Sequence, residues 1–294
     1  MPSISTPHLH VVYEERRPNA PDAVVLLHGF PDDARTWDAI VDAPELACTR
    51  TVAPYLRGYG PTRFRDPATP RSGQAAAFAR DVVELLEALG IERCILVGHD
   101  WGARAAYNAA VLAPQLVRSA IALSVGYGTN VPSQVLSYEQ SERYWYQWYF
   151  ATPRGEAALR EDRRGFCRYL WQRWSPRWHF GEEEYDRTAS SFENPDFVEI
   201  VLHSYRQRWD FAPGDQRYQD DEALLSRAPP LAVPVQVLHG SEDGATLLEA
   251  TEGREALFPA GYRRVVLEGA GHFVQRERPQ AVIEAIVAAL RHGR

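Results

Sequence analysis

The stretch Gly98-His-Asp-Trp-Gly102 places one carboxylate between two glycines, each two positions away. It follows an apolar run at 94–97 and precedes a helical pattern from about 102 to 112. In a tight strand-to-helix turn the central side chain is held out at the carboxyl end of a parallel sheet, where such sheets bind ligands. The flanking glycines let strand and helix approach closely. This is the spacing of a nucleophile elbow, G-x-S-x-G, with Asp100 in place of serine. A carboxylate is already a nucleophile at pH 7, and it attacks an sp³ carbon to leave an alkyl ester on the chain. The competing reading makes Asp100 only the N-cap of the following helix, a position Asp favours.

Three further segments could complete such a site. His28-Gly-Phe-Pro31 follows the apolar run 23–27. Backbone N–H groups from that loop, and from the residue after the nucleophile, are where this architecture binds an oxyanion. Those donors would be Phe30 and Trp101; a plain turn is the simpler reading of the same loop. Gly240-Ser-Glu-Asp243-Gly follows the run 235–238, and Gly269-Ala-Gly-His272-Phe follows the run 263–267. A glycine-rich turn can present His272 over the sheet as a base, oriented and charge-stabilised by Asp243, with Glu242 the adjacent competitor. The chain order Asp, Asp, His is the nucleophile–acid–base order of this architecture. Among the other histidines, His28 and His99 read as structural parts of their motifs. His8, His10, His179 and His292 have no supporting context.

These groups need a sheet to position them. Residues 1–125 alternate short apolar runs (23–27, 94–97, 118–123) with helical spacing (74–89, 102–112), and Gly90 reads as a C-cap. The rhythm returns after Pro234 with runs at 235–238 and 263–267 and a helical pattern at 281–290. The pattern predicts an α/β protein with a mostly parallel central sheet flanked by helices. From about 130 to 221, Pro132, Pro153, Pro176, Pro195 and Pro213 divide a polar, aromatic stretch into short helices. Residues 131–220 hold 20 of the 33 aromatics, so this segment carries most of the aromatic surface. The expected division is a core of residues 1–129 and 222–294 with an inserted helical cap at 130–221.

Composition excludes other classes. Hydrophobic residues make up 45% and charged residues 24% of 294, ordinary for a soluble domain with one large core. A net charge of −7 argues against nucleic acid or an anionic membrane as partner. Cys48, Cys94 and Cys167 form no CxxC pair, so neither a disulfide framework nor a metal site is expected and a reducing compartment fits. The N-terminus lacks the pattern of a signal peptide, and no apolar run nears the roughly 20 residues of a membrane span. A cytoplasmic protein is expected. The oligomeric state stays open, a homodimer included.

Taken together, the motifs resemble the Asp-nucleophile branch of the α/β-hydrolase superfamily. HGFP at 28–31, Leu56-Arg-Gly-Tyr-Gly60, GHDWG at 98–102 and GAGHFVQRERP at 269–279 carry the likeness, which covers the core around an inserted cap. Three subfamilies compete. Resemblance to epoxide hydrolases implies two cap tyrosines that protonate the leaving oxygen. One lies in a Y-Q-x-Y-F stretch, which Tyr146 begins here, and the other begins a Y-R pair, matched by Tyr205-Arg206. A tyrosine hydroxyl, with an ordinary pKa of about 10, keeps its proton at pH 7. Packing in an aromatic cap is the plainer role for both. Resemblance to haloalkane dehalogenases implies N–H donors for a halide: Trp101 matches one, but Phe30 stands where an Asn commonly follows the HG pair. Resemblance to haloacetate dehalogenases implies an Arg directly after the nucleophile and another three residues later. Trp101 replaces the first, and Arg104 matches the second, to receive an acidic substrate group or to make an ion pair. That resemblance also places Gln147, Trp148 and Tyr205 at a halide pocket. Some relatives carry the acid after the strand that precedes the cap. Here that region is Leu123-Ser-Val-Gly-Tyr127, without a carboxylate, which leaves the role to Asp243.

The expected activity is epoxide hydrolysis of a small-molecule substrate, with no metal or other cofactor. Asp100 attacks, Tyr146 and Tyr205 hold and protonate the oxygen, and His272 with Asp243 activates water. Phe30 and Trp101 N–H groups bind the oxyanion, and Gln147, Trp148 and Arg104 line the substrate. Carbon–halogen hydrolysis through the same Asp100 and a catalytically silent ligand-binding protein are the alternatives.

Overall fold

The computed structural model of the chain describes residues 1–129, 131 and 134–291. Nine strands among these residues form one sheet: β1 (Ser3–Ser5), β2 (Leu9–Arg16), β3 (Asp22–Leu27), β4 (Thr49–Pro54), β5 (Arg63–Phe64), β6 (Cys94–His99), β7 (Val117–Leu123), β8 (Val235–Gly240) and β9 (Tyr262–Leu267). The order is β1-β2-β4-β3-β6-β7-β8-β9, with β5 on β2. From β4 through β9 neighbouring strands are parallel; β1, β2 and β5 are antiparallel additions. The buried parallel strands read as continuous apolar runs because helices cover both of their faces.

β1, β2, β4 and β5 were not expected from the sequence. β2 alternates buried and exposed positions and ends in Glu14-Glu15-Arg16, and β4 begins Thr49-Arg50-Thr51. β2 is a half-exposed antiparallel strand, while β4 is buried and parallel to β3 but its polar first half breaks the uninterrupted apolar run that marks its neighbours.

The order reverses at β3: the chain next adds β4 on one side of it and later β6 on the other. Open sheets form their binding crevice at the carboxyl ends of the strands flanking such a reversal. The loop after β3 starts at His28 and the turn after β6 holds Asp100, so both face that crevice. The helix Ala75–Ala88 packs beside the helix Trp101–Leu112, while Pro279–Arg291 packs against β6 and β7. Gly90 takes φ 63° just beyond the first of these helices, as a C-cap residue does.

Between β7 and β8 lie the helices Tyr138–Arg143, Trp145–Phe150, Pro153–Glu161, Arg163–Trp174, Glu182–Ala189, Phe197–Arg208 and Gln219–Leu225. Two points of the expected cap differ or fall outside the description. Its start at Asn130, with Pro132, lies outside the described residues, as does His292. Its end at 221 falls inside the helix Gln219–Leu225, which packs Tyr218 and Leu225 on Ala76 and Ala77 of the core. No helix among the described residues is long and apolar enough to cross a membrane.

Candidate active site

Asp100 follows β6 with φ 49° and ψ −112°, a conformation L-residues seldom adopt and one that functional turns tolerate. Both flanking glycines are required by space. A Cβ on Gly98 would strike the Gly102 carbonyl, and one on Gly102 would strike the carbonyl of Leu27 in β3. The Asp100 side chain makes no capping hydrogen bond to its helix. Its Oδ1 instead accepts from Phe30 N at 2.9 Å. Its Oδ2 lies 3.9 Å from His272 Nε2. One carboxylate oxygen is therefore anchored and the other faces the base. Trp101 N makes no hydrogen bond to this carboxylate among the described residues.

His272 and Asp243 meet across two loops. His272 Nδ1 lies 2.8 Å from Asp243 Oδ2, while His272 Nε2 has no protein partner and points toward Asp100. Asp243 Oδ1 accepts from Ala245 N at 2.7 Å and Thr246 N at 2.8 Å. His239, at the end of β8, brings Nε2 within 3.2 Å of Oδ2. Burial alone would raise the Asp243 pKa, but the His272 charge and the hydrogen bonds from His239 and His272 hold it well below the usual carboxylate range. Burial alone would lower His272, yet the Asp243 charge and hydrogen bond raise it above its ordinary 6.5. Glu242, the competitor, pairs outward with Arg177 at 2.7 Å. In the region after β7 that lacks a carboxylate, Ser124 Oγ donates to the His272 carbonyl at 2.7 Å. His28 and His99 are buried, and burial pushes both down to about 4. His28 Nε2 accepts from Leu56 N and the His99 ring meets the His272 carbonyl, so both brace loops.

The cap secures this arrangement. Trp171 Nε1 donates to Pro31 O at 2.6 Å, which fixes the loop that carries Phe30. The Trp174 carbonyl accepts from both His272 N at 3.0 Å and Gly244 N at 2.9 Å, so one cap residue holds both the base loop and the acid loop.

Aromatic rings close over Asp100. Phe30 contacts Trp101, Tyr146, Phe150, Trp174, Phe197 and Tyr205 at centroid distances of 5.4–6.4 Å. Tyr146 and Tyr205 meet edge to face at 5.2 Å. Burial holds both hydroxyls well above their ordinary pKa, joined by the Asp100 charge for Tyr146 and by Tyr146 and then Asp100 for Tyr205, so both keep their protons. The hydroxyls lie close enough to influence each other's ionisation. Among the described residues Tyr205 Oη nevertheless completes no hydrogen bond. Tyr146 Oη accepts from Gln147 Nε2 at 2.8 Å. Trp209 Nε1 donates to Gln147 Oε1 at 2.8 Å and so fixes which way the amide points.

The remaining expected residues stand apart from the cage. Gln147 was expected to line the substrate; its buried amide meets Trp209 at its oxygen and Tyr146 at its nitrogen. Trp148 was expected there too; its ring packs on Trp209 at 5.0 Å and its Nε1 donates to Ser141 O. Arg104 donates to Thr129 O at 3.1 Å and to Thr129 Oγ1 at 3.4 Å, and has no ion pair among the described residues. The sequence reading missed His239, Ser124 and Trp209. Only His239 had a legible signal, its place four residues before Asp243 at the end of a strand. Among the described residues no cluster of His, Cys, Asp and Glu could hold a metal ion.

An aspartate elbow facing an Asp–His pair across the switch point of a parallel sheet defines a class of hydrolytic sites. The chain belongs to the α/β-hydrolase fold family, whose profile matches residues 22–279. It is 29% identical to epoxide hydrolase A of Mycobacterium tuberculosis, over 95% of this chain and 93% of that protein. It is also 29% identical to an epoxide hydrolase of Caballeronia sordidicola, over 96% and 90% of the two chains. A crystal structure from Klebsiella pneumoniae, provisionally described as an epoxide hydrolase, superimposes with a TM-score of 0.92 at 36% identity, covering 99% of this chain and 97% of that one.

Proposed function

We propose that this chain hydrolyses epoxides to vicinal diols through an alkyl ester on Asp100. The observation that carries the reading is the pair Tyr146–Tyr205, two protonated hydroxyls on the cap facing the carboxylate whose other side meets His272. An alkoxide is a poor leaving group, so ring opening needs an acid at the oxygen. The epoxide hydrolase relatives support the same reading.

The geometry supports the following steps. Asp100 Oδ2 is the attacking oxygen, because Oδ1 is held by Phe30 N. Tyr146 Oη already accepts a hydrogen bond from Gln147, whose orientation Trp209 fixes. Its own O–H proton is therefore directed elsewhere, toward the epoxide oxygen, and Tyr205 Oη is the second donor. Once the ester forms, Oδ1 becomes its carbonyl oxygen beside Phe30 N. His272, held by Asp243, takes a proton from water, which attacks the ester carbon. Negative charge collects on Oδ1, where the Phe30 N–H stabilises it and the neighbouring Trp101 N–H, at the start of its helix, can join. Collapse breaks the Cγ–Oδ2 bond and His272 returns its proton to the departing oxygen, which releases the diol; the carboxylic proton left on Asp100 goes through solvent to the tyrosinate, restoring both groups. No step calls for a metal or other cofactor.

Halide release is the second reading, and one observation favours it: the buried Trp101 Nε1 has no partner. A halide site of this kind needs a second side-chain donor, and Phe30 supplies only an apolar ring. The test is a panel of epoxides, haloalkanes and haloacids, assayed for diol and for free halide. Diol formation without halide release supports the proposal; halide release with inert epoxides overturns it.

A further inference from the structure

A cavity of about 320 Å³ lies among the helix Trp101–Leu112, the loop after β7 and the helices Phe197–Arg208 and Gln219–Leu225. That volume is at the lower end for small-molecule sites, about 300–1,000 Å³. Arg104, Thr129, Ser204, Arg208 and Glu222 supply its polar lining. Two of these are guanidinium groups facing one space, and neither has a carboxylate within 4 Å among the described residues. Arg208 makes no hydrogen bond there either; its guanidinium carbon lies 5.0 Å from the centre of the Tyr205 ring. Other arginines near the cavity do find acids. Arg206, two residues earlier on the same helix, pairs with Glu156 at 2.9 Å. Arg80 pairs with Asp221 at 2.5 Å and Arg71 with Asp196 at 2.8 Å. Burial and the repulsion of Arg208 both weigh on the charged form of Arg104. Glu222 is the one acid in the lining, and its Oε1 is occupied by Ala76 N at 2.7 Å. The cavity thus keeps an excess of positive charge with free donors.

Asp100, Tyr146 and Tyr205 do not line the cavity, but both arginines stand next to these groups. Arg104 lies one helical turn after Asp100, to whose carbonyl its N–H donates at 3.1 Å. Arg208 sits on the face of the ring whose hydroxyl is the second proposed proton donor. Asp100, Tyr144 and Tyr146 are all within electrostatic reach of Arg104.

We propose that this cavity is a substrate subsite for a carboxylate, held between Arg104 and Arg208, so that the preferred substrate is an epoxide carrying an anionic tail. The proposal rests on the epoxide reading above. Guanidinium groups suit a carboxylate because their planar N–H forks match its two oxygens.

The test compares a series of ω-(oxiran-2-yl)alkanoates with their methyl esters at low ionic strength, on the full-length wild type, R104Q, R208Q and R208K. One charge-assisted hydrogen-bonded contact corresponds to about ten-fold or more in specificity. Wild type should therefore prefer one acid over its ester by at least about ten-fold in kcat/KM, and R208Q and R104Q should collapse that ratio through KM, with R208K restoring part of it. A ratio near one in wild type, or one that survives both glutamine variants, overturns the proposal. Calorimetric titration with hexanoate, hexanamide and inorganic phosphate separates the two readings. If no epoxide is turned over, the epoxide reading fails, while hexanoate binding lost in R208Q still supports a carboxylate site. Hexanoate bound no better than hexanamide overturns the site, and phosphate bound as tightly as hexanoate overturns its assignment to a substrate carboxylate.

Discussion

Replacing each cap tyrosine by phenylalanine should move activity in one direction and stability in two. Tyr205 is 1% exposed and its hydroxyl completes no hydrogen bond among the described residues. A buried, unsatisfied hydroxyl costs roughly 1–3 kcal/mol, and removing it leaves the ring packing intact. Tyr205→Phe should therefore stabilise the protein by about 1 kcal/mol. Tyr146 is 3% exposed, but its oxygen accepts from Gln147 Nε2. Tyr146→Phe strands that amide donor in a residue 1% exposed and should cost about 1–3 kcal/mol. For a domain of this size each kcal/mol shifts Tm by about 2–4 °C. The melting curves should therefore separate on opposite sides of wild type. Both variants should lose epoxide turnover, each by about 10²-fold or more, the usual contribution of a general acid. Differential scanning calorimetry and diol formation measured on the same preparations check this. A Tyr205→Phe protein that melts lower and keeps full activity would refute the reasoning, because its hydroxyl would then be a structural strut.

Asp243→Asn removes the charge behind His272 and should slow ester hydrolysis by about 10⁴-fold, as loss of the orienting acid does in related triads. Ring opening should continue, so alkyl-enzyme accumulates and intact-protein mass spectrometry detects it; a clean spectrum with substrate present counts against the assignment. His272 must be neutral to act and its folded pKa is raised above 6.5, so kcat/KM should fall as pH drops through a midpoint above that value. The same raised pKa makes its contribution to stability fully present below pH 6.5 and lost as pH rises through the folded value. A kinetic midpoint below 6.5 would contradict this pairing. Gly98→Ala would drive a methyl group into the Gly102 carbonyl and should destabilise the core by about 3 kcal/mol or more, seen as a lowered urea midpoint; an unchanged midpoint would mean the elbow is looser than described.

What the sequence disclosed follows from how local each signal is. The glycines around Asp100 are demanded by contacts within a few residues, so their spacing alone announces the turn. The parallel strands carry continuous apolar runs and were readable for the same reason. Parallel β4 is the exception, because its first half is Thr49-Arg50-Thr51, and antiparallel β2 was missed because its outward face is polar. Asp243 could be weighed against Glu242 in the sequence, but only folding sends Glu242 to Arg177 and Asp243 to His272. The cap was least legible. Whether Gln147 faces a substrate or Tyr146 depends on Trp209, which lies 62 residues away. The unpaired state of Arg208 depends on which carboxylates its neighbours take. Short helices separated by prolines pack by shape, and periodicity does not encode that.

The central claim is that a carboxylate oxygen of Asp100 enters the product. Single-turnover conversion of an epoxide in ¹⁸O-water, with enzyme in excess, tests it directly. The account predicts an unlabelled diol from the first turnover and ¹⁸O gained by the peptide containing Asp100. Label in the diol of that first turnover, with Asp100 unlabelled, would mean that water attacks the ring itself and would contradict the covalent mechanism.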